Sequence, residues 1–556
     1  MGDLIAERRQ ALETRWGAWT STTLSGRFDM VAERFGDRPF VITDEATQTY
    51  AEVAAQSQRI AGGLADLGVR RGDRVAILID NRAEFVPVKI AVARAGAVAV
   101  PLNFQYKAEE LQAALAHSEA KVLVTIGHSM ATDFLDALDA IAPGWETAGG
   151  GATLPTLEYV VVVGGGRDGA LSLTDVAARG TDITPPETDP DSICDIVFTS
   201  GTSGHPLAAM LTHDMVLRSA YGSAYHRGFA DGWRICFALP MYHVFGYVEG
   251  LLAAMFVGGA VVPRQVFNPR TLLEAVAREH VNEVLFVPTM TVGVVEEAAQ
   301  RAYDLSSLES VFSAAAPAPV WLWERVQREL APRTVYTGYG QTEVSAATAL
   351  TMPGDALEVV SETVGACKLG GAAATEGYDG RLAQYRTVDP FTGEPLPDGA
   401  EGELSVRGPI VTRAYHADPE RTAGMIEDGW LRTGDLGSVG ADGYLRLTGR
   451  ARELYKCGGE LVAPKEVEDV INRFPGVGQA YVAGVPDERM GEVGAAWVVP
   501  DGDAVLDPEV LRRHCRTHLA AFKIPRMITI VAAADLPTTA TGKVQKYRLA
   551  QSAVTS

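Results

Sequence analysis

Residues 199–209 read TSGTSGHPLAA, a run of glycine and hydroxyl side chains with the composition of a phosphate-binding loop. Small residues let backbone N–H groups approach phosphate oxygens closely, and hydroxyl groups add further donors. The candidate phosphate-binding residues are Thr199, Ser200, Gly201, Thr202, Ser203 and Gly204. A polyphosphate usually also draws a lysine or arginine, but the residue after Pro206 is Leu207. The run predicts an anion-binding loop without its cation; an ordinary linker is the alternative.

The elements around this run favour anion binding. Residues 191–198 (DSICDIVF) end as an apolar, β-rich strand, and residues 210–225 (MLTHDMVLRSAYGSAY) have a helical pattern. We therefore expect the loop to join a strand to a helix. Elsewhere, β-rich runs at 73–79, 97–101, 120–126 and 157–164 alternate with helical patterns such as 50–68. This alternation predicts an α/β fold.

Length, charge and cysteine content narrow the class of protein. A chain of 556 residues is too long for one core and predicts at least two domains. Its net charge of −21 disfavours a nucleic-acid partner. The cysteines show neither CxxC spacing nor a Cys/His cluster, so we expect buried free thiols in a reducing compartment. They are Cys194, Cys236, Cys367, Cys457 and Cys515.

The chain starts without a basic-then-apolar signal region, and it has no long uninterrupted apolar run. We therefore expect a cytoplasmic protein without a membrane span. From residue 451 onward the pattern changes to short strands with intervening helices. This change predicts a large domain at 1–450 and a small one at 451–556, with a hinge in the charged stretch around Arg452.

Five further segments follow the loop in order. They are ALPMYHVFG (238–246), YTGYGQTE (336–343), WLRTGDLG (430–437), TGRARELYKCGGELVAPKEVE (448–468) and PTTATGKVQK (537–546). With the loop, they resemble the adenylate-forming superfamily of acyl-CoA synthetases, luciferases and nonribosomal peptide adenylation domains. The resemblance implies a large N-terminal AMP-binding domain of α/β subdomains with a β-barrel-like part, and a small, mobile α+β C-terminal domain.

The resemblance also implies a two-step reaction. A carboxylate attacks the α-phosphate of ATP to give an acyl-adenylate and pyrophosphate. The C-terminal domain then rotates, and a thiol displaces AMP. The implied small molecules are ATP or acyl-AMP, coenzyme A and a carboxylic acid, with Mg²⁺ where adenylation is retained.

Several roles in the large domain follow from the resemblance. Tyr339, flanked by Gly338 and Gly340, would lie against adenine, and Thr342 would contact the α-phosphate. Glu343 would bind Mg²⁺, since a carboxylate oxygen is a ligand that this hard cation prefers. The other implied contacts are His243 between acyl pocket and thiol tunnel, Tyr242, Phe245 and Val287 in the acyl pocket, and Ala315, Ala316 and Pro317 beside adenine. Ala314 and Ala315 stand where the family often has glycines.

Further roles follow for the later segments. Asp435 would accept hydrogen bonds from the ribose hydroxyls, and Arg450 would help to hold the nucleotide. Lys543 would stabilise negative charge at the α-phosphate and carboxylate during adenylation. Gly458 and Gly459 would line the path of the pantetheine arm, where an absent side chain leaves room.

The loop departs from the family pattern where Leu207 and Ala208 replace a Lys-Gly pair. Leucine supplies no charge, and we expect alanine to resist the positive φ that glycine accepts. Thioester formation from acyl-AMP and a thiol involves no β- or γ-phosphate, so the departure predicts weakened adenylation with thioesterification spared. Retention of Glu343 and Lys543 argues against complete loss.

We therefore expect an acyl-CoA ligase specialised for its second step. In this respect the chain is similar to the non-adenylating ligases of platensimycin-type diterpenoid biosynthesis, which implies a bulky polycyclic acid and a separate adenylating enzyme as a partner. A complete ATP-dependent acyl-CoA synthetase is the main alternative. An adenylation enzyme that loads a carrier protein, a luciferase-like oxygenase and a non-catalytic binding protein are others.

Overall fold

A computed structural model describes residues 2–129, 132–165, 167–181, 186–199, 207–457, 460–487, 489–502, 504–538 and 544–555. The chain divides into two compact units. The larger comprises Met1–Gln384 and Arg407–Leu431, and the smaller comprises Tyr385–Val406 and Arg432–Ser556. The functional boundary predicted near residue 450 stays a prediction.

The strands of the larger unit are β1 (Pro39–Ile42), β2 (Thr47–Thr49), β3 (Arg74–Leu78), β4 (Val98–Pro101), β5 (Val122–Ile126), β6 (His128–Ser129), β7 (Thr132–Asp133), β8 (Tyr159–Val163), β9 (Leu171–Ser172), β10 (Ile193–Thr199), β11 (Leu207–Thr212), β12 (Arg234–Phe237), β13 (Ala260–Pro263), β14 (Glu283–Phe286), β15 (Ser310–Ser313), β16 (Thr334–Tyr336), β17 (Gly338–Gln341), β18 (Ala346–Leu350), β19 (Ala366–Cys367) and β22 (Ile426–Glu427).

Its α-helices are α1 (Gly2–Trp16), α2 (Leu24–Phe35), α3 (Tyr50–Asp66), α4 (Phe85–Arg94), α5 (Ala108–Ser118), α6 (Phe134–Ile141), α7 (Trp145–Ala148), α8 (Leu173–Arg179), α9 (His213–Arg227), α10 (Ala253–Met255), α11 (Pro269–Arg278), α12 (Pro288–Gln300), α13 (Val320–Glu329), α14 (Leu357–Glu362) and α15 (Pro419–Met425). A π-helix spans Phe245–Leu252, and short 3₁₀ turns span Thr342–Val344 and Gly371–Ala373.

Two seven-stranded sheets organise the larger unit. The first has the order β16-β15-β14-β12-β13-β1-β2, and the second has the order β11-β10-β4-β3-β5-β8-β9. Most neighbouring strands run parallel, and strands such as β4, β5 and β14 are buried along their whole length. Such continuously buried strands are typical of parallel sheets that are covered on both faces. A smaller antiparallel sheet, β17-β18-β19, carries the TGYGQ segment.

Most of the secondary structure predicted from sequence periodicity is confirmed. The four predicted β-rich runs coincide with β3, β4, β5 and β8, and the 50–68 helix coincides with α3. Helix α3 begins at a capping box, in which the Thr49 side chain and the Glu52 side chain each bond the other's backbone N–H. All five cysteines are buried and free, as predicted. Within the described part of the chain, no helix is both long and apolar enough to cross a membrane.

One local prediction is wrong. The 199–209 run does not join a strand to a helix, because its far end enters β11, which pairs antiparallel with β10. Helix α9 starts only at His213, where the Thr212 side chain accepts the Met215 N–H as an N-cap. Residues 210–212, predicted helical, are therefore extended.

The smaller unit contains two sheets. Its strands are β20 (Gln384–Val388), β21 (Gly402–Arg407), β23 (Trp430–Val439), β24 (Leu445–Arg450), β25 (Tyr455–Cys457), β26 (Glu460–Val462), β27 (Val477–Asp487), β28 (Gly491–Pro500) and β29 (Met527–Ile530), and its α-helices are α16 (Pro464–Asn472), α17 (Pro508–His518) and α18 (Lys546–Thr555). Strands β20, β21 and β23 lie side by side, with β24 also paired to β23. The other sheet has the order β26-β25-β28-β27, with β29 parallel to β28. The α+β prediction for the C-terminal part is confirmed.

Candidate active site

Four of the predicted segments meet at one edge of the first sheet. Strands β12, β14, β15 and β16 are parallel neighbours. The PMYHVFG segment follows β12, Val287 follows β14, residues 314–317 follow β15, and residues 337–343 follow the end of β16. Ligands of open α/β sheets bind at the carboxyl ends of the strands, which is where these segments lie.

The PMYHVFG segment (240–246), which carries the predicted acyl-pocket residues, is held at this edge by Asn81. The Asn81 Nδ2 donates to the Leu239 carbonyl oxygen at 2.9 Å, and its Oδ1 accepts the Met241 N–H at 2.8 Å. Because Asn81 follows β3 of the second sheet, this amide joins the carboxyl edges of both sheets.

The predicted acyl-pocket residues belong to one apolar cluster. The Tyr242 ring packs edge-on against Phe104, with ring centroids 5.3 Å apart, and the Phe245 ring packs edge-on against Phe312 at 5.2 Å. Val287 is buried in the same cluster, while Tyr242 and Phe245 are partly exposed. Edge-to-face aromatic pairs with an exposed side suit the binding of a flat or ring-bearing ligand.

His243 is a neutral imidazole with a defined tautomer. Its Nδ1 accepts the Phe245 N–H at 3.2 Å, which leaves the ring proton on Nε2. Burial lowers the pKa of His243 to about 4, because the charged form is poorly solvated there. At neutral pH the side chain therefore presents an N–H donor and keeps its basic nitrogen occupied.

The β17–β18 hairpin carries Tyr339 in a tightly fitted backbone. Tyr339 is buried, and its hydroxyl accepts a hydrogen bond from Gln341 Nε2 at 3.3 Å. A Cβ at Gly340 would lie 1.8 Å from the Ala346 carbonyl oxygen, so the two strands can approach only with glycine there. The hairpin therefore fixes the tyrosine that was predicted to meet adenine.

Glu343 lies just beyond this hairpin strand with its carboxylate oriented by Tyr415. The Tyr415 hydroxyl donates to Glu343 Oε1 at 3.1 Å, and the Glu343 carbonyl oxygen accepts the Thr412 N–H at 2.7 Å. Thr342 and Glu343 are both buried. The described residues contain no cluster of three metal-ligating side chains.

The two arms of the predicted phosphate loop pair in register. Thr199 at the end of β10 lies opposite Leu207 at the start of β11, and Phe198 lies opposite Ala208. Ser200, Gly201, Thr202, Ser203 and Gly204 lie outside the described residues. Ala208 is buried in extended backbone, so the expectation that this position needs a positive φ is wrong.

Strand β11 also contacts the segment that carries Tyr415. Its Ala208 carbonyl oxygen accepts the His416 N–H at 2.8 Å, and Ala209 forms a β-bridge with Tyr415. The Thr412 hydroxyl donates to the Met210 carbonyl oxygen at 2.6 Å. The loop arm that holds Leu207 is therefore linked by backbone pairing to the residue that orients Glu343.

The adenine-side segment contains a strained alanine. Ala315 has φ +73°, a left-handed conformation that glycine adopts more easily, and Ala315, Ala316 and Pro317 are exposed. Ala314 is buried. The departure from glycine at Ala315 therefore coincides with a backbone conformation that favours glycine.

In the smaller unit, Asp435 and Arg450 are cross-strand partners on β23 and β24. The Arg450 Nε lies 3.0 Å from Asp435 Oδ1, and the Asp435 side chain is buried. The Asp435 N–H donates to the Thr433 hydroxyl at 3.1 Å. Arg450 therefore orients the predicted ribose-binding carboxylate; its direct contact with nucleotide stays a prediction.

Three predicted residues, Gly458, Gly459 and Lys543, lie outside the described residues. Their flanks are paired: Cys457 lies opposite Glu460 in the β25–β26 hairpin, and Thr538 forms a β-bridge with Val544. The predicted hinge falls in a 3₁₀ turn, Ala451–Glu453, between β24 and β25. The roles of these residues stay predictions.

The sequence interpretation missed Asn81, Phe104, Phe312 and Tyr415. Asn81 follows a predicted strand, and a polar residue at that position is a usable signal for a sheet-edge site. Tyr415 had no local signal, because its link to Glu343 spans 72 residues of sequence. Phe104 and Phe312 have the pattern of ordinary core residues.

Comparison with protein families matches residues 28–416 to the AMP-binding enzyme family and residues 466–543 to the AMP-binding enzyme C-terminal domain. A methyl-dioxo-octahydroindenyl-propanoyl:CoA ligase of Mycobacterium tuberculosis is 34% identical over 538 residues, covering 95% of this chain and 98% of the relative. A feruloyl-CoA synthase of an Amycolatopsis species is 35% identical over 501 residues, covering 90% and 92%.

Solved structures also resemble this chain over nearly its whole length. The anthranilate CoA ligase AuaEII, in complex with anthranoyl-AMP, superposes with a TM-score of 0.82 at 25% identity, covering 96% of this chain and 97% of that one. ATP-bound MatB from Rhodopseudomonas palustris also gives 0.82, at 28% identity and with 96% and 99% covered. The chain therefore belongs to the AMP-binding enzyme family within the adenylate-forming superfamily, and it is an acyl-CoA ligase.

Proposed function

We propose that this acyl-CoA ligase is specialised for thioester formation and makes acyl-adenylate slowly. In the favoured step the thiol sulfur of coenzyme A attacks the carbonyl carbon of acyl-AMP. A C–S bond forms, the bond between that carbon and the phosphate oxygen breaks, and AMP leaves while the thiol proton passes to solvent. The observation that carries the proposal is Leu207.

Leu207 supports the proposal by its place in the chain and its chemistry. It is partly exposed at the start of β11, opposite Thr199, where the family motif supplies a lysine. A charge-assisted contact contributes roughly 1.5–3 kcal/mol, which corresponds to about ten- to a hundredfold in rate. Only ATP carries the β- and γ-phosphates that such a lysine would hold, so the loss falls on adenylation. Ala208 adds nothing to this argument, since its extended backbone accepts alanine.

Several residues that we assign to nucleotide binding are retained in this chain. Tyr339, Thr342 and Glu343 lie on one fixed hairpin end, and Tyr415 orients the Glu343 carboxylate. Mg²⁺ would be held by Glu343 together with phosphate oxygens of ATP, where it would neutralise phosphate charge. This retention supports the second candidate, a complete ATP-dependent synthetase, and also explains why we propose slow rather than absent adenylation.

His243 would act as a hydrogen-bond donor to the acyl group. Its Nδ1 is occupied by the Phe245 N–H, so its Nε2–H is available for a carboxylate or carbonyl oxygen of the acid. A neutral imidazole with an occupied basic nitrogen is a poor acceptor for the thiol proton. We therefore assign His243 to acyl orientation.

The acid is proposed to contain a ring system. The aromatic pairs at Tyr242 and Phe245 support this class, and so do relatives named for octahydroindenyl-propanoyl and feruloyl groups. A polycyclic diterpenoid acid, and a separate enzyme that supplies its adenylate, are the finer form of the same proposal.

The deciding experiment compares the rate of acyl-CoA formation from the free acid with the rate from its acyl-adenylate. A panel of aliphatic, aromatic and polycyclic acids is supplied as free acid with ATP and Mg²⁺, or as synthetic acyl-AMP, each with coenzyme A. We expect acyl-CoA to form at least about tenfold faster from acyl-AMP, most rapidly with a ring-bearing acid. Equal rates from both mixtures would favour the complete synthetase, and transfer to a carrier protein in preference to coenzyme A would favour the carrier-loading alternative.

A further inference from the structure

Four charged side chains are completely buried next to the β17–β18 hairpin of the larger unit, which we call the nucleotide hairpin because it carries Tyr339. The Lys368 Nζ lies 3.1 Å from Glu249 Oε1, and the two nitrogens of Arg227 lie 2.5 Å from Glu283 Oε2 and 3.3 Å from Glu249 Oε2. All four side chains have an exposed fraction of zero. We call Arg227, Glu249, Glu283 and Lys368 the ion cluster.

Such a cluster is a poor device for stability alone. Removing ions from water costs several kcal/mol each, and replacing a buried pair by apolar side chains is often neutral or stabilising. The cluster combines two basic and two acidic side chains. What distinguishes it is the backbone that it binds.

The ion cluster bonds to the backbone immediately after Glu343. The Ala347 N–H donates to Glu249 Oε1 at 3.1 Å. Lys368 Nζ donates to the Ser219 hydroxyl at 2.8 Å, and that hydroxyl donates to the Ser345 carbonyl oxygen at 2.6 Å. Residues 345 and 347 are thus held from one side by the same buried charges.

The backbone between these two bonds is strained. Ser345 has φ +56° and Ala346 has φ +90°, and neither is glycine. Left-handed backbone in non-glycine residues persists only where surrounding contacts hold it, and it concentrates at functional sites. The strained pair directly follows the 3₁₀ turn Thr342–Val344 and sets the direction in which the chain leaves this turn to enter β18.

We propose that the ion cluster and Ser219 form a positioning device for nucleotide binding. By holding Ser345 and Ala346 in left-handed backbone, they fix Thr342 and Glu343 relative to Tyr339. This rests on the proposed function, because it assigns the adenylate to this hairpin. Glu249 lies on the π-helix Phe245–Leu252, which begins at the acyl-pocket residue Phe245. Its carboxylate therefore connects the helix of the acyl pocket to the backbone of the nucleotide hairpin at Ala347.

Two serines on α9 provide a matched test. Ser219 and Ser223 are both fully buried, and both hydroxyls accept a hydrogen bond from Lys368. The Ser219 hydroxyl bonds directly to the hairpin at the Ser345 carbonyl oxygen, whereas the Ser223 hydroxyl donates to the Ser219 carbonyl oxygen inside α9 and reaches the hairpin only indirectly, through Glu249. Ser219→Ala and Ser223→Ala therefore remove similar buried groups with different links to the nucleotide site.

The experiment measures AMP affinity and amide hydrogen exchange over residues 338–350 in full-length protein. For Ser219→Ala we expect about tenfold weaker AMP binding and faster exchange in 342–350, with other sheet segments unchanged. For Ser223→Ala we expect both quantities within about twofold of the parent. Parental values for folded Ser219→Ala, or equal losses in both variants, would overturn the proposal.

A second variant keeps the test decisive if Ser219→Ala does not fold. The double variant Glu249→Leu with Lys368→Met removes both ion pairs of Glu249, to Lys368 and to Arg227, and leaves Arg227 paired with Glu283. We expect the same loss of AMP affinity and the same faster exchange, and parental values in the folded double variant would again contradict the proposal. Neither readout needs acyl-CoA formation, so a parent that made none would contradict the proposed function while leaving this result valid.

Discussion

At the scale of single residues, Gly340 shows how a missing side chain shapes the nucleotide hairpin. We expect Gly340→Ala to lower the free energy of unfolding by about 1–3 kcal/mol and to weaken AMP binding, because the new Cβ would meet the Ala346 carbonyl oxygen. Chemical denaturation and AMP titration measure the two effects. Gly424→Ala is the control, since that glycine lies on α15 with no atom within 4 Å of the place that an added Cβ would occupy, and alanine there should gain rather than lose stability. Equal effects at both positions would contradict the tight fit.

His243 gives a second prediction at this scale. Because burial lowers its pKa to about 4, its imidazole stays neutral through the range in which an ordinary histidine titrates. We expect the rate of thioester formation from acyl-AMP to show no histidine ionisation between about pH 5.5 and 8. A change in the pH–rate profile with an apparent pKa of about 6.5, present in the parent and absent in His243→Gln, would show instead that His243 takes a proton during the reaction.

At the scale of elements, β11 joins the loop position Leu207 to the segment that carries Tyr415. We expect Tyr415→Phe to slow acid-dependent pyrophosphate release by about ten- to a hundredfold, because the Glu343 carboxylate loses a hydrogen bond that orients it. Thioester formation from supplied acyl-AMP should change less than about threefold. Pyrophosphate exchange and acyl-CoA formation measure the two steps separately.

The matched control is Tyr303→Phe, which removes a tyrosine–carboxylate bond to Glu297 at the end of α12. That bond lies at the far end of α12 from the acyl-pocket residue Val287, and its loss should leave both half-reactions unchanged. If Tyr415→Phe slowed the two steps equally, Tyr415 would support the hairpin generally and would have no special relation to adenylation.

At the scale of the whole molecule, buried titratable groups set the response of stability to pH. Burial lowers the pKa of His213 to about 4, of His226 to about 3 and of His243 to about 4. These groups are neutral in the folded protein but take up protons near about pH 6.5 when the chain unfolds, so acidification below that value destabilises the fold. Glu283 acts oppositely, because burial raises its pKa from 4.5 to about 7, and folding is progressively disfavoured as the pH rises through this interval.

Three histidines outweigh one glutamate, so we expect the thermal midpoint to fall as pH decreases from about 6.5 to about 4.5. Replacing His226 by glutamine should flatten this slope, because the number of protons taken up on unfolding falls by up to about one when the buried ring is absent. A midpoint that is constant or rises on acidification would contradict the lowered pKa values of these histidines.

Sequence reasoning captured the architecture and the order of the motifs because each depends on local patterns. The β-rich runs became the parallel strands β3, β4, β5 and β8. It failed where pairing between distant segments determines the local backbone conformation. Residues 210–212 are extended because β11 pairs with β10, and Ala208 is unstrained for the same reason. The ion cluster could not be predicted, since its members come from four separate segments between Arg227 and Lys368.

Restoring the missing cation tests the central claim most directly. Pyrophosphate exchange dependent on the acid is measured for the parent, for Leu207→Lys and for the control Ala208→Gly, which adds no charge. The account predicts that Leu207→Lys raises exchange about ten- to a hundredfold, that Ala208→Gly does not, and that neither alters thioester formation from acyl-AMP. Brisk and equal exchange by the parent and Leu207→Lys would contradict the account and identify a complete acyl-CoA synthetase.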